Sequence, residues 1–155
     1  MDTIPKRTAI ASPYRYVLHI LEKHLRFPVK NPDVYTVFSL LLSFLFLVLG
    51  NTLIRFVLLI IVLFFDWVDG AAARKFKGVS KRGYVVDQTF DKLGDGLITV
   101  SVLSSGYGKV LFLIYIINNL MYYYSIKTGK HYIMPIRFFY LIILLIQLLL
   151  PGLLH

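Results

Sequence analysis

The sequence predicts an all-α fold, a polytopic transmembrane bundle of five to six spans preceded by an amphipathic helix lying in the membrane interface. Three observations predict it. Of the 155 residues, 57% are hydrophobic, and the mean hydropathy of +0.71 is too apolar for a soluble domain of this size. The apolar residues gather in several runs of roughly 16 or more, which suits helices crossing a bilayer, where each backbone must satisfy its own hydrogen bonds. Lys and Arg cluster in Lys6 to Lys30, Arg74 to Arg82 and Lys127 to Arg137. If the runs alternate across the membrane, all three clusters fall on one side. This positive-inside pattern predicts a multi-pass protein of the cell membrane with its N-terminus in the cytoplasm.

The net charge of +9 is therefore read as topology and attraction to anionic lipid, and nucleic acid is not an expected partner. The absence of cysteine excludes a disulfide framework and thiolate chemistry. The N-terminus, with Pro5 and no early apolar run, predicts no cleavable signal peptide.

Two regions are expected, residues 1–30 as a polar lead with the interfacial helix and residues 31–155 as the transmembrane domain. Ser12-Pro13 is a cap followed by an N1 proline. After it, Tyr14, Val17, Leu18, Leu21 and Leu25 repeat at helical spacing among charged residues, up to Pro28. That segment is too short and too charged to span. His19 and His24 are read as its surface. Asn31-Pro32-Asp33 supplies the cap, N1 proline and acidic first turn of the first span, about Val34 to Gly50.

The second span runs from about Thr52 to Lys75, with Arg55 near its outer end placed to snorkel toward the surface. The third runs from Tyr84 to about Leu103. Gly106-Tyr107-Gly108 is expected as a tight outer turn before a fourth span, about Val110 to Ile126. In that span Asn118 and Asn119 are placed to bridge helices, and Tyr122 to Tyr124 form an aromatic belt at the boundary. A fifth span, kinked by Pro135, runs to Leu150.

One stretch departs from this apolar pattern: Asp66-x-x-Asp69-Gly70-x-x-Ala73-Arg74, eight residues, then Gly83-x-x-x-Asp87-x-x-x-Asp91. Each ionised Asp in a span costs roughly 2.5–3.5 kcal/mol, so four of them call for a chemical reason. At helical spacing Asp66, Asp69, Gly70 and Ala73 share one face, as do Asp87 and Asp91 on the next helix. Packed inward, the two faces gather four carboxylates, the oxygen ligands that hard divalent cations take. Two such ions would cancel the four charges. Asp95 extends the second row outside this pattern and is expected to hold Lys92 or a polar partner from another helix.

The pattern resembles the signature of the CDP-alcohol phosphotransferases, integral membrane enzymes that join a CDP-activated lipid to a small alcohol and release CMP. All eight fixed positions are filled at the right spacing, a coincidence with probability on the order of 10⁻⁷ or less at average composition, though they span only residues 66–91. The resemblance implies metal ligation by Asp66, Asp69, Asp87 and Asp91, with Mg²⁺ or Mn²⁺, two ions per site, and Asp91 as the catalytic base. It implies CDP-lipid contacts from Gly70, Ala73, Arg74, Ser80 and Gly83. The residues themselves agree, because Gly70 and Ala73 leave room beside a helix and Arg grips a diphosphate well.

The family often carries Thr-Pro-Asn-x-x-Thr before the first span. This chain has Asn31-Pro32-Asp33-Val34-Tyr35-Thr36, which keeps the Pro and the last Thr and brings Thr36 to the nucleotide by resemblance. Helix capping explains Asn31 and Pro32 equally well. Members with phosphorylated acceptors place basic residues at the ends of the last helices near the metals, making Lys127, Lys130 and Arg137 candidate acceptor ligands; the positive-inside rule accounts for the same charges.

The expected activity is transfer of a phosphatidyl-type group from CDP-diacylglycerol or CDP-archaeol to a phosphorylated polyol such as inositol phosphate or glycerol 3-phosphate, on the cytoplasmic side. Serine or another unphosphorylated alcohol is the alternative acceptor. Membrane lipids and a second copy of the chain, as a homodimer, are the expected partners. Two further readings compete with it, a cation transporter, since intramembrane acids also mark ion paths, and a catalytically silent assembly partner. A transporter has no need of Gly70, Ala73, Arg74 and Gly83 at fixed spacing, and a silent partner has no need of a complete acid set.

Overall fold

The computed structural model describes residues 28–77, 81–128 and 134–150. The expected interfacial helix before Pro28 lies outside them. Among the described residues there are five α-helices and no strand: α1 Pro32–Val48, α2 Thr52–Ala72, α3 Lys81–Val100, α4 Gly106–Thr128 and α5 Ile136–Leu149, with a π-helical segment Ala73–Lys77 continuing α2.

Local chemistry sets the helix starts. The Asn31 side chain accepts from the Asp33 backbone N–H, with Pro32 at the first helical position, and the Asn51 side chain accepts from the N–H groups of Leu53 and Ile54 at 2.9 and 3.1 Å. Each fills donors that a helix N-terminus leaves orphaned. The turn between α3 and α4 comes earlier than expected, at residues 101–105. Gly106 to Gly108 already belong to α4, and Ser105 Oγ accepts from the Gly108 N–H at 3.0 Å. Gly108 serves packing there, because a Cβ on it would stand 1.7 Å from the Val102 carbonyl oxygen.

Helix α1 is inverted relative to a helix of a soluble protein. On α1 the buried face is Pro32, Tyr35, Thr36, Ser39, Ser43 and Phe46, while Phe38, Leu41, Phe44 and Val48 are exposed. Small and hydroxylic residues inside with bulky apolar residues outside are what helix packing in lipid favours. Thr52–Phe76, 25 residues, is the one described helix long and apolar enough to cross a membrane by length and composition; Pro32–Val48 and Ile136–Leu149 are apolar but shorter. Charges along α3 and the Tyr and Asn content of α4 keep those two below the same mark.

Helix α1 is the organising member. It packs against both α2 and α3, α5 packs against α2, α4 against α3, and α5 makes a smaller contact with α4. The two signature helices have little direct contact with each other, so their facing is achieved through α1. The apolar core lies toward the end of the bundle that holds the α1–α2 connection, where Phe46, Leu59, Val62, Ile98, Leu111, Tyr140 and Leu144 are buried together. Arg55 fastens that end. It donates to the carbonyls of Leu49, Phe46 and Ser101, filling acceptors that the C-terminal ends of α1 and α3 leave over.

Replacing Gly108 by Ala is expected to lower stability by about 1–3 kcal/mol, the usual cost of overpacking, read as a lower melting temperature in detergent. Gly106→Ala, whose Cβ meets nothing within 4 Å, should stay within about 0.5 kcal/mol of the parent.

Candidate functional site

The site is assembled at the end of the bundle opposite Arg55. Helices α1 and α2 run antiparallel, and their polar residues pair in register. Thr36 donates to Asp69 Oδ2 at 2.9 Å, and one turn further along α1 Ser39 donates to Asp66 Oδ1. Another turn on, the Ser43 hydroxyl turns back to the Ser39 carbonyl at 2.9 Å. The spacing 36, 39, 43 is one helical face, so a stripe of hydroxyls on an otherwise apolar helix receives the acids of the next one.

The second half of the site is brought in by Arg137, in the first turn of α5. It is 7% exposed, and it reaches three carboxylates on two helices. Its Nη1 pairs with Asp66 Oδ2 of α2 and with Asp91 Oδ1 of α3 at 3.2 Å. Its Nε donates to Asp95 Oδ1 at 2.8 Å, and its Nη2 to the Asp91 carbonyl at 2.9 Å. A planar fork of five donors suits this arrangement as a lysine would not. Asp95 thus takes its expected partner from another helix, while Lys92, also buried, lies over the Tyr122 ring of α4 at 5.8 Å.

Two backbone devices hold Arg137 in place. Asn118, fully buried on α4, donates to the Met134 carbonyl at 3.2 Å and accepts from the Met134 N–H at 2.9 Å, which pins the chain three residues before Arg137. It bridges segments as expected; Asn119 turns back to Tyr115 of its own helix. Gly94 opens the surface of α3, since a Cβ there would lie 2.8 Å from Arg137 Nη2 and 3.1 Å from Ser43 Oγ. Sequence reasoning did not single out Ser39, Ser43, Gly94 or this use of Asn118. The hydroxyl periodicity of α1 and the glycines flanking Asp95 were the available signals.

The remaining signature residues fall at the same end. Arg74 sits in the π-helical segment, a distortion frequent at functional sites, and its Nη1 would be 3.3 Å from a Cβ on Gly70. The space that Gly70 leaves is taken by the Arg74 guanidinium. Ala73 bridges the helix to this segment, its N–H reaching the carbonyls of Asp69 and Gly70. Gly83 and Asp87 lie on the first two turns of α3, with the Asp87 side chain outside the described residues. Ser80 and Lys130 lie outside them too, and Lys127 is exposed at the end of α4.

The donor set is of the kind a hard divalent ion takes, oxygen only and carboxylate-rich. Among the described residues no three acidic or histidine side chains stand close enough together to hold one. The cation that joins Asp66 to Asp91 here is the guanidinium of Arg137.

A comparison with protein families matches residues 29–154 to CDP-alcohol phosphatidyltransferase. The chain belongs to this family. Comparison with curated proteins gives no match, and comparison with solved structures gives none either. Membership makes the protein a membrane transferase of phospholipid biosynthesis that moves a phosphatidyl group from a CDP-alcohol to an alcohol acceptor, and the transporter reading gives way.

Because Gly94 carries the arginine, Gly94→Ala is expected to displace the Arg137 guanidinium and lower transferase activity by roughly 10- to 100-fold, as small misplacements at a reacting centre do. Helical content by circular dichroism should be retained.

Proposed function

We propose that this phosphatidyltransferase uses a CDP-activated diacylglycerol or archaeol as donor and a small polyol phosphate as acceptor, at a divalent-metal site facing the cytoplasm. The observation that supports it most is the meeting of Asp66 from α2 and Asp91 from α3 at one cationic group, within a complete signature. Asp66, Asp69, Asp87 and Asp91 would hold Mg²⁺ or Mn²⁺, two ions per site. When bound, these ions supply Lewis-acid stabilisation of the charge that develops on the diphosphate.

The chain's own residues do the rest. The exposed apolar faces of α1 and α2 keep the lipid tails in the bilayer, leaving the head group beside the acids. Arg74, over Gly70 at the π-helical segment, is suited to grip the diphosphate bidentately, with Ala73 and Gly83 leaving room, Ser80 a further hydroxyl contact and Thr36 within reach of the nucleotide. The acceptor hydroxyl attacks the phosphorus carrying the lipid and CMP departs. Asp91 takes the hydroxyl proton. Lys127, Lys130 and Arg137 supply positive charge for an acceptor phosphate. The working unit is a homodimer in the cell membrane.

One observation favours the second acceptor class. Arg137 is already paired with three carboxylates, and a neutralised arginine suits serine or another unphosphorylated alcohol.

Asp91→Asn is expected to retain CDP-lipid binding while CMP release falls by about 10²–10⁴-fold, the worth of a positioned base, and to cost more than Ser80→Ala. Normal turnover in that variant would remove the base assignment. CMP release should stop in chelator and return with added Mg²⁺. Arg137→Ala should raise the Michaelis constant for a polyol phosphate, and an unchanged value would turn the acceptor assignment to an unphosphorylated alcohol.

A further inference from the structure

We propose that Arg137 is a built-in counter-cation, which a divalent ion must displace from Asp66 and Asp91, and that Asp95 keeps hold of the arginine when it leaves. The inference rests on the metal-site reading above and adds a regulation to it.

Arg137 has two kinds of partner. Asp66 and Asp91 belong to the two halves of the signature, and a single nitrogen, Nη1, serves both. Asp95 lies outside the signature and is bound by a different nitrogen, Nε, at 2.8 Å. Exposure separates the partners in the same way. The side chains of Asp66 and Asp91 are 20% and 30% exposed, whereas those of Arg137 and Asp95 are 8% and 10% exposed. An ion arriving from outside meets the two signature acids first, with the guanidinium behind them.

The electrostatics make the two cations competitors. A carboxylate has lone pairs for both a metal ion and an N–H donor, but a divalent ion held between Asp66 and Asp91 would stand beside the Nη1 group that pairs with both, and two cations that close repel at low dielectric. With no ion bound, Asp66, Asp91 and Asp95 would repel one another at low dielectric, and Arg137 offsets that repulsion. Ion binding therefore carries the cost of breaking the Nη1 pairs. The Nε bond to Asp95 does not involve the signature acids and survives the exchange, so the arginine stays tethered and its Nη groups are released beside the metal site.

The test is Mn²⁺ binding to the purified protein in detergent without substrate, followed by the paramagnetic resonance signal of free Mn²⁺. Arg137→Gln is expected to bind Mn²⁺ about tenfold more tightly than the wild type, the equivalent of one charge-assisted bond no longer broken. That variant leaves Asp95 buried without its partner, a destabilising situation, so the charge-balanced pair Arg137→Gln with Asp95→Asn is measured alongside and should show the same gain. Equal or weaker binding in the variants overturns this inference alone. Absence of Mn²⁺ binding in the wild type and in both variants overturns the metal-site reading, and this inference with it.

Discussion

A guanidinium surrounded by carboxylates from two helices, in a protein with an apolar exterior, is the constraint to which the rest of the structure answers. Arg137 joins α5 to α2 and α3, although α2 and α3 make little contact of their own. A buried arginine without partners would be severely penalised, and three carboxylates without a cation equally so. Each group therefore fixes the position of the other. Asn118 fixes the chain entering α5, and the absence of a side chain at Gly94 lets the guanidinium rest on α3.

The same logic explains α1. An apolar helix inserted between two acid-bearing helices would strand their carboxylates. This one turns Thr36 and Ser39 toward Asp69 and Asp66, meeting each acid with a hydroxyl donor while its phenylalanines and leucines face outward. The interior is thus polar at the end that carries the acids and apolar toward the opposite end, where Phe46, Leu59 and Tyr140 pack.

Much of this was legible in the sequence because it is local. The cap at Asn31 marks the start of α1 within a residue or two, and the spacing of the acids gives both the shared faces and the family resemblance, which the match over residues 29–154 bears out. What was not legible depends on partners distant in sequence. No periodicity tells that Arg137 reaches Asp66, 71 positions away, or that α1 stands between the signature helices. The turn after α3 falls earlier than local preference predicts, for a related reason. Glycines at 106 and 108 read as a turn by local preference, whereas Gly108 is small because the Val102 carbonyl presses against it.

Arg55 has a mechanical consequence. One guanidinium carried by α2 satisfies carbonyls at the ends of α1 and α3, so three segments share a single fastening at the face away from the acids. None of the three can shift there without stranding peptide oxygens in an apolar setting. Sliding of α1 or α3 past α2 is therefore resisted at this end by bonds to the backbone itself, independently of which side chains pack there.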